Sequence, residues 1–213
     1  MTTFEVTLGR HGLPGDLQLP AGALGLVVFA HGSGSSRHSP RNRFVASELC
    51  KRGLATLLFD LLTEEEEFDR RNVFDIPLLA SRLREAIAWQ AGMRQIAALP
   101  TGLFGASTGA AAALVAAAEL PGKVAAVVSR GGRSDLADAS LPLVRAPTLL
   151  IVGGADEEVL ELNRWAAAQM TCENVLRVVP GATHLFEERG ALAAVAELAG
   201  DWFVQHMKVE VHA

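Results

Sequence analysis

A serine between glycines, a late histidine in a turn and an acid between the two in chain order are the residues of this sequence with the types and spacing for covalent chemistry. The serine is Ser107, within Gly105-Ala106-Ser107-Thr108-Gly109. A serine hydroxyl is a poor nucleophile unless a base takes its proton and a third group orients that base. Three histidines follow Ser107: His184, His206 and His212. His206 and His212 fall in the expected terminal helix and tail, whereas His184 ends the turn-rich stretch Pro180-Gly181-Ala182-Thr183-His184 just beyond an apolar run, and it is the expected base. The orienting acid is expected in Val152-Gly153-Gly154-Ala155-Asp156. Asp156 comes first after the glycines there, while Glu157 and Glu158 can serve the first turn of the next helix, where negative charge is favoured. Serine, then acid, then histidine is the chain order that goes with a G-x-S-x-G turn.

The glycines of that turn have a steric reason. A strand-to-helix turn sharp enough to project a hydroxyl strains the backbone of its central residue, and side chains two residues before and after would collide where strand and helix nearly touch. The plainer alternative is a helix cap, with Ser107 or Thr108 accepting a backbone N–H. Asp156 has the same alternative at the helix that follows it. Attack on an acyl carbon also needs two donors for the developing oxyanion. The backbone N–H of Thr108 at the helix start is expected to be one. The other is expected from Phe29-Ala30-His31-Gly32-Ser33-Gly34-Ser35-Ser36, where glycines let a backbone amide approach a ligand, and it is assigned to the Ser33 N–H. A phosphate loop is not what these glycines make: no Gly-Lys-Ser/Thr follows, and Arg37 stands where the third glycine of G-x-G-x-x-G would be. Arg37, Arg130 and Arg133 are candidates for binding a substrate carboxylate, or else ordinary surface arginines.

These residues must be positioned by an alternation of short apolar runs and longer helical stretches. The expected strands are Leu24–Ala30, Leu54–Phe59, Thr101–Phe104, Val124–Ser129, Thr148–Val152 and Val175–Val179. Each is apolar almost throughout, the mark of strands buried on both faces of a mostly parallel sheet. The expected helices are Arg41–Lys51, Phe74–Gly92, Ser107–Glu119, Glu158–Met170 and Ala191–His206. The pattern predicts an α/β fold of three layers in a single domain spanning 1–213, with Phe4–Leu8 as a further strand and Leu13-Pro14-Gly15 as a turn. Only a short stretch, Arg130 to Pro147, separates two of the strands, so no large cap is expected over the site. The run Glu64 to Glu67 is expected as a solvated loop or the first turn of a helix.

Composition excludes several classes. Of 213 residues, half are hydrophobic and 20% charged, as in a compact folded protein. The formal charge of −5 provides no basic field for a phosphate backbone, so nucleic acid is not an expected partner. No N-terminal signal pattern and no run near the ~18 apolar residues needed to span a bilayer occur, which points to a cytoplasmic protein without a membrane partner. Cys50 and Cys172 lie far apart and outside any C-x-x-C pair, so both are expected as buried thiols rather than as a disulfide or zinc site. No metal is expected.

Ala30-His31-Gly32-Ser33-Gly34-Ser35, the Gly105 to Gly109 turn, Gly153-Gly154-Ala155-Asp156 and Pro180 to Phe186 together resemble the dienelactone-hydrolase-like branch of the α/β-hydrolases, from about Leu24 to His206. Ser107 stands where dienelactone hydrolases carry a cysteine nucleophile, which sets this sequence apart from enzymes acting on dienelactone itself. The resemblance implies a Ser/Asp/His hydrolase of small esters, lactones or related acyl compounds, working on a small-molecule substrate without a cofactor. An acyltransferase or thioesterase on the same triad, or a binding protein that has lost turnover, are the alternatives.

Overall fold

The computed structural model describes residues 1–207; His212 lies outside them. Eight strands form one sheet in the order β1-β2-β4-β3-β5-β6-β7-β8. The first two, β1 (Thr2–Leu8) and β2 (Leu13–Leu19), pair antiparallel, and β2 pairs antiparallel with β4. From there β3 (Leu26–Ala30), β4 (Ala55–Phe59), β5 (Thr101–Ala106), β6 (Val124–Arg130), β7 (Thr148–Gly153) and β8 (Asn174–Val179) run parallel. Helices cover both faces. On one lie α1 (Pro40–Lys51) and α6 (Ala191–His206), packed on Val27, Phe29, Phe104, Val128 and Ile151. On the other lie α3 (Ile76–Gly92), α4 (Thr108–Glu119) and α5 (Glu157–Gln169), packed on Val28, Leu57, Leu103, Val127 and Leu150. Successive residues of one strand thus feed two cores, which is why the strands read as unbroken apolar runs.

The hairpin corrects one expectation. Leu13-Pro14-Gly15 is not a turn: it opens β2, and the reversal falls at Gly9 to Gly12, both of which hold positive φ. Pro14 sits at the second position of the strand opposite Thr7, and its carbonyl accepts from the Asp60 N–H just past the end of β4. Gly15 is there for packing, since a Cβ on it would lie 2.7 Å from Leu8 Cδ1 and 3.1 Å from Phe59 Cβ.

Glu64–Glu67 forms a one-turn helix, α2, closed by a capping box between Thr63 and Glu66. Glu66 reaches inward as well: its carboxylate is 2.5 Å from the guanidinium of Arg82, whose side chain is only 2% exposed. The segment between β6 and β7 carries only 3₁₀ turns over Ser134–Leu143, and no cap domain. Cys50 is buried and Cys172 only partly so; both are free thiols.

Candidate active site

Ser107 occupies the turn from β5 into α4 with φ 52° and ψ −123°. That conformation suits glycine and strains any residue with a Cβ. The flanking glycines are what allow it. A Cβ on Gly105 would lie 2.4 Å from the Ala110 backbone, and one on Gly109 would lie 2.2 Å from the carbonyl oxygen of Ala30. Backbone bonds anchor the turn from outside, Ser107 N–H donating to Arg130 O at 3.3 Å and Arg133 N–H to Ser107 O at 3.0 Å. The side chain of Ser107 caps nothing, so its hydroxyl is not spent on starting the helix, and the residue is partly exposed.

Asp156 stands at the cap position of α5, yet its side chain makes no capping bond. Its Oδ2 instead lies 2.7 Å from Nδ1 of His184. A carboxylate only accepts, so the proton between them is on Nδ1, and Nε2 is left as the basic nitrogen. The pair is held by lacing between the loops after β7 and β8: Gly154 N–H donates to Val179 O at 2.9 Å and Ala155 N–H to Ala182 O at 2.9 Å. Gly153 permits that approach, because a Cβ there would lie 2.3 Å from Ala182 O. The carboxylate is well covered at 15% exposure, whereas the imidazole is 39% exposed and open to a substrate.

Gly131, with φ 51°, links the serine to this pair. A Cβ on Gly131 would be 3.6 Å from His184 Cε1, while the preceding residue, Arg130, holds the Ser107 amide. The structure therefore joins His184 to Asp156 directly and brings Ser107 and His184 to the same glycine turn, without a hydrogen bond between the hydroxyl and the ring. Such bonds often tighten only when substrate is bound.

The loop after β3 crosses beside the serine. A Cβ on Gly32 would lie 2.9 Å from Ser107 Cβ, so glycine is needed for the close approach. The Ser33 N–H does not stand empty: it donates to Thr108 Oγ1 at 3.2 Å. Two residues that the sequence reading left without a role hold this loop. His31 is buried, its Nδ1 3.1 Å from Gly32 O, and its Nε2 accepts from Leu61 N–H at 3.1 Å. Burial holds its pKa below the ordinary histidine value, against the opposing pull of the Gly32 carbonyl, Asp60 and Glu67. Asp60 takes the backbone N–H of Arg37 at 2.8 Å and its guanidinium as well.

The three candidate arginines are committed elsewhere. Arg37 is paired with Asp60, and Arg133 makes a two-pronged contact with Asp135 at 2.9 and 2.8 Å. Arg130 is buried, its Nη2 3.3 Å from Asn42 Oδ1 and its guanidinium 5.8 Å from the centre of the Phe186 ring. Burial, and then the neighbouring Arg41, push it down to about 10. These contacts lend no support to a role for the three in holding a substrate carboxylate. A cleft of about 530 Å³ is lined by Gly32, Ser33 and Thr108 next to the serine, by Leu62, Val73 and Phe74, and by the charged Glu67 and Arg70; Ser107 borders it only through Thr108, and neither Ser107 nor His184 is among its lining residues. Among the described residues, no cluster of three or more His, Cys, Asp or Glu could hold a metal ion, and no helix is long and apolar enough to cross a membrane.

Residues 24–197 match the family model described as an alpha/beta hydrolase domain. A dienelactone hydrolase from Anabaena variabilis is 54% identical, superposes with a TM-score of 0.94, and is aligned over 97% of this chain and 99% of its own. The chain belongs to the α/β-hydrolases, in their dienelactone-hydrolase-like branch. Est1E from Butyrivibrio proteoclasticus shares the hydrolase fold at 15% identity, with a TM-score of 0.79 over 95% of this chain and 98% of its own. A Mycobacterium tuberculosis H37Rv protein bearing the name phosphoribosyl transferase is 61% identical over 203 residues, which are 95% of this hydrolase chain and 46% of the relative. The chain thus spans about half the length of the curated relatives it matches.

Proposed function

We propose that this protein is a serine hydrolase of small carboxylic esters or lactones, with Ser107 as nucleophile, His184 as general base and Asp156 as the group that orients the imidazole. The observation that carries the reading is the combination of a strained, uncapped Ser107 with an imidazole whose Nδ1 is held 2.7 Å from a carboxylate that also caps nothing. In the first step Ser107 Oγ bonds to the acyl carbon while its proton passes to His184 Nε2. The imidazolium formed is stabilised by Asp156. Collapse of the tetrahedral intermediate breaks the bond to the leaving alkoxide, which takes the proton from Nε2. Water then adds to the acyl-serine by the same route, and the acid departs. The Thr108 N–H, in the first turn of α4 and so without an intrahelical acceptor, faces the oxyanion from the positive end of the helix.

The cleft next to Thr108 and the absence of a cap between β6 and β7 support a small acyl substrate, and its mixed lining, Leu62, Val73 and Phe74 with Glu67 and Arg70, admits both apolar and polar groups. The transferase name of the mycobacterial relatives belongs to proteins of which this chain matches 46%, and the reading rests on the site of this chain rather than on that name. Hydrolysis is tested with p-nitrophenyl acetate and butyrate, together with fluorophosphonate labelling. Wild type is expected to turn over and to take one label, whereas Ser107→Ala loses several powers of ten in kcat and all labelling while staying folded. Undiminished turnover in Ser107→Ala refutes the assignment. Added alcohol or thiol acceptors, read by the ratio of transfer to hydrolysis products, distinguish an acyltransferase on the same serine.

A further inference from the structure

Resting on that reading, the oxyanion site poses a question of hydrogen-bond inventory. Two donors are needed beside Ser107, and the Ser33 N–H, the natural second donor by its place after β3, is already spent on Thr108 Oγ1 at 3.2 Å. Thr108 is 2% exposed, and among the described residues its hydroxyl has no other recorded partner. A hydroxyl carries one proton and two lone pairs. With one lone pair taken by the Ser33 N–H, its proton has no acceptor among the described residues, and both residues line the cleft next to the serine. A buried donor without an acceptor is costly unless something completes it.

We propose that the Thr108 hydroxyl is the second oxyanion donor, with the Ser33 amide acting behind it as the group that orients and polarises it. The amide nitrogen and Oγ1 of one threonine lie roughly 3 Å apart in the gauche rotamers, so that in either of these both can reach a single oxygen atom. The Thr108 N–H and O–H would then close on the same oxyanion at the N-terminus of α4, where the helix dipole adds to both. The Ser33 N–H donating into Oγ1 strengthens the hydroxyl as a donor, because hydrogen bonds in a chain polarise one another. The glycines around Ser33 keep their function, which is to bring its amide to Thr108.

The experiment separates two arrangements that predict opposite signs. Thr108→Val keeps the branched shape, removes the hydroxyl and frees the Ser33 N–H. If the hydroxyl is the donor, kcat on p-nitrophenyl butyrate falls about 10²- to 10³-fold with little change in KM. Thr108→Ser restores it to within a few-fold of wild type. Affinity for an alkyl boronic acid, whose tetrahedral adduct on serine puts an oxygen in this place, drops in parallel with kcat/KM. If the Ser33 amide is the donor and Thr108 merely occupies it, Thr108→Val leaves kcat unchanged or raises it, and the proposal is overturned. Thr108→Ala, which fits wherever threonine fits, repeats the comparison should valine strain the site, with urea unfolding to establish that each variant is folded. Ser107→Ala is run alongside. Full turnover there removes the parent reading and this one together, whereas its loss beside an unaffected Thr108→Val removes this one alone.

Discussion

Replacing Ser107 by glycine and, separately, by alanine divides what its backbone costs from what its hydroxyl does. Both variants lack the nucleophile, so on the reading above both lose turnover. They differ in the Cβ, which alanine keeps at φ 52° and ψ −123°, the region that L residues avoid. Strain of this kind is of order 1–3 kcal/mol. Glycine relieves it but gives back about 0.5–1 kcal/mol through its freer unfolded chain. The difference leaves Ser107→Gly more stable than Ser107→Ala by up to about 2.5 kcal/mol, whereas without strain Ser107→Ala would be the more stable by about 0.5–1 kcal/mol. For a chain of this size each kcal/mol moves the midpoint by ~2–4 °C, so the glycine variant should melt higher, by up to about 10 °C. Urea unfolding of the two variants under one m-value is the direct measurement. An alanine variant more stable than the glycine variant by about 0.5–1 kcal/mol would show that the elbow stores no strain, and the backbone conformation of Ser107 would no longer mark it as the nucleophile.

Two further outcomes follow from the contacts of the histidines. Asp156→Asn should leave the fold intact and lower kcat by about 10⁴, since an amide can present its N–H₂ to Nδ1 and favour the wrong tautomer; steady-state rates within tenfold of wild type would count against the pairing. His31 bears on stability rather than chemistry. Its folded pKa lies below the ordinary 6.5 because burial disfavours the charged ring. Below that pH the unfolded chain takes up a proton that the folded protein holds off, so the contribution of His31 is complete above about 6.5 and declines as pH falls toward the folded value, by at most ~1.4 kcal/mol per pH unit. Urea unfolding of wild type and His31→Gln across this range should show the wild-type advantage shrinking on acidification. A difference that does not vary with pH would contradict the buried neutral ring.

Most of the scaffold was legible because its signals are local. Strands enclosed by two helical layers must be apolar on both faces, as Val27 and Val28 illustrate by entering opposite cores, and that requirement shows as continuous runs. The exception is β2, whose alternation of Leu13, Leu17 and Leu19 is interrupted by Pro14-Gly15, a pair that ordinarily marks a turn. Its place between β1 and β4 overrode that local preference, since Gly15 packs against Leu8 and Phe59. The spacing of Gly105 and Gly109 about Ser107 was readable for a similar reason: the clashes they avoid lie with the adjoining helix and with the β3 backbone that any such turn must pass.

By itself the sequence determined the rhythm of the sheet, the glycine turn that exposes a serine, and the order in which acid and histidine follow it, because each is a matter of neighbouring residues and their sterics. Only the tertiary structure decided which polar groups remain available for chemistry. Ser33 and Thr108 meet across 75 residues, His31 and Leu61 across 30, and Arg37 and Asp60 across 23. A donor or a charge is satisfied once, by whatever the strand order brings within about 3 Å of it, and no spacing along the chain encodes that distance.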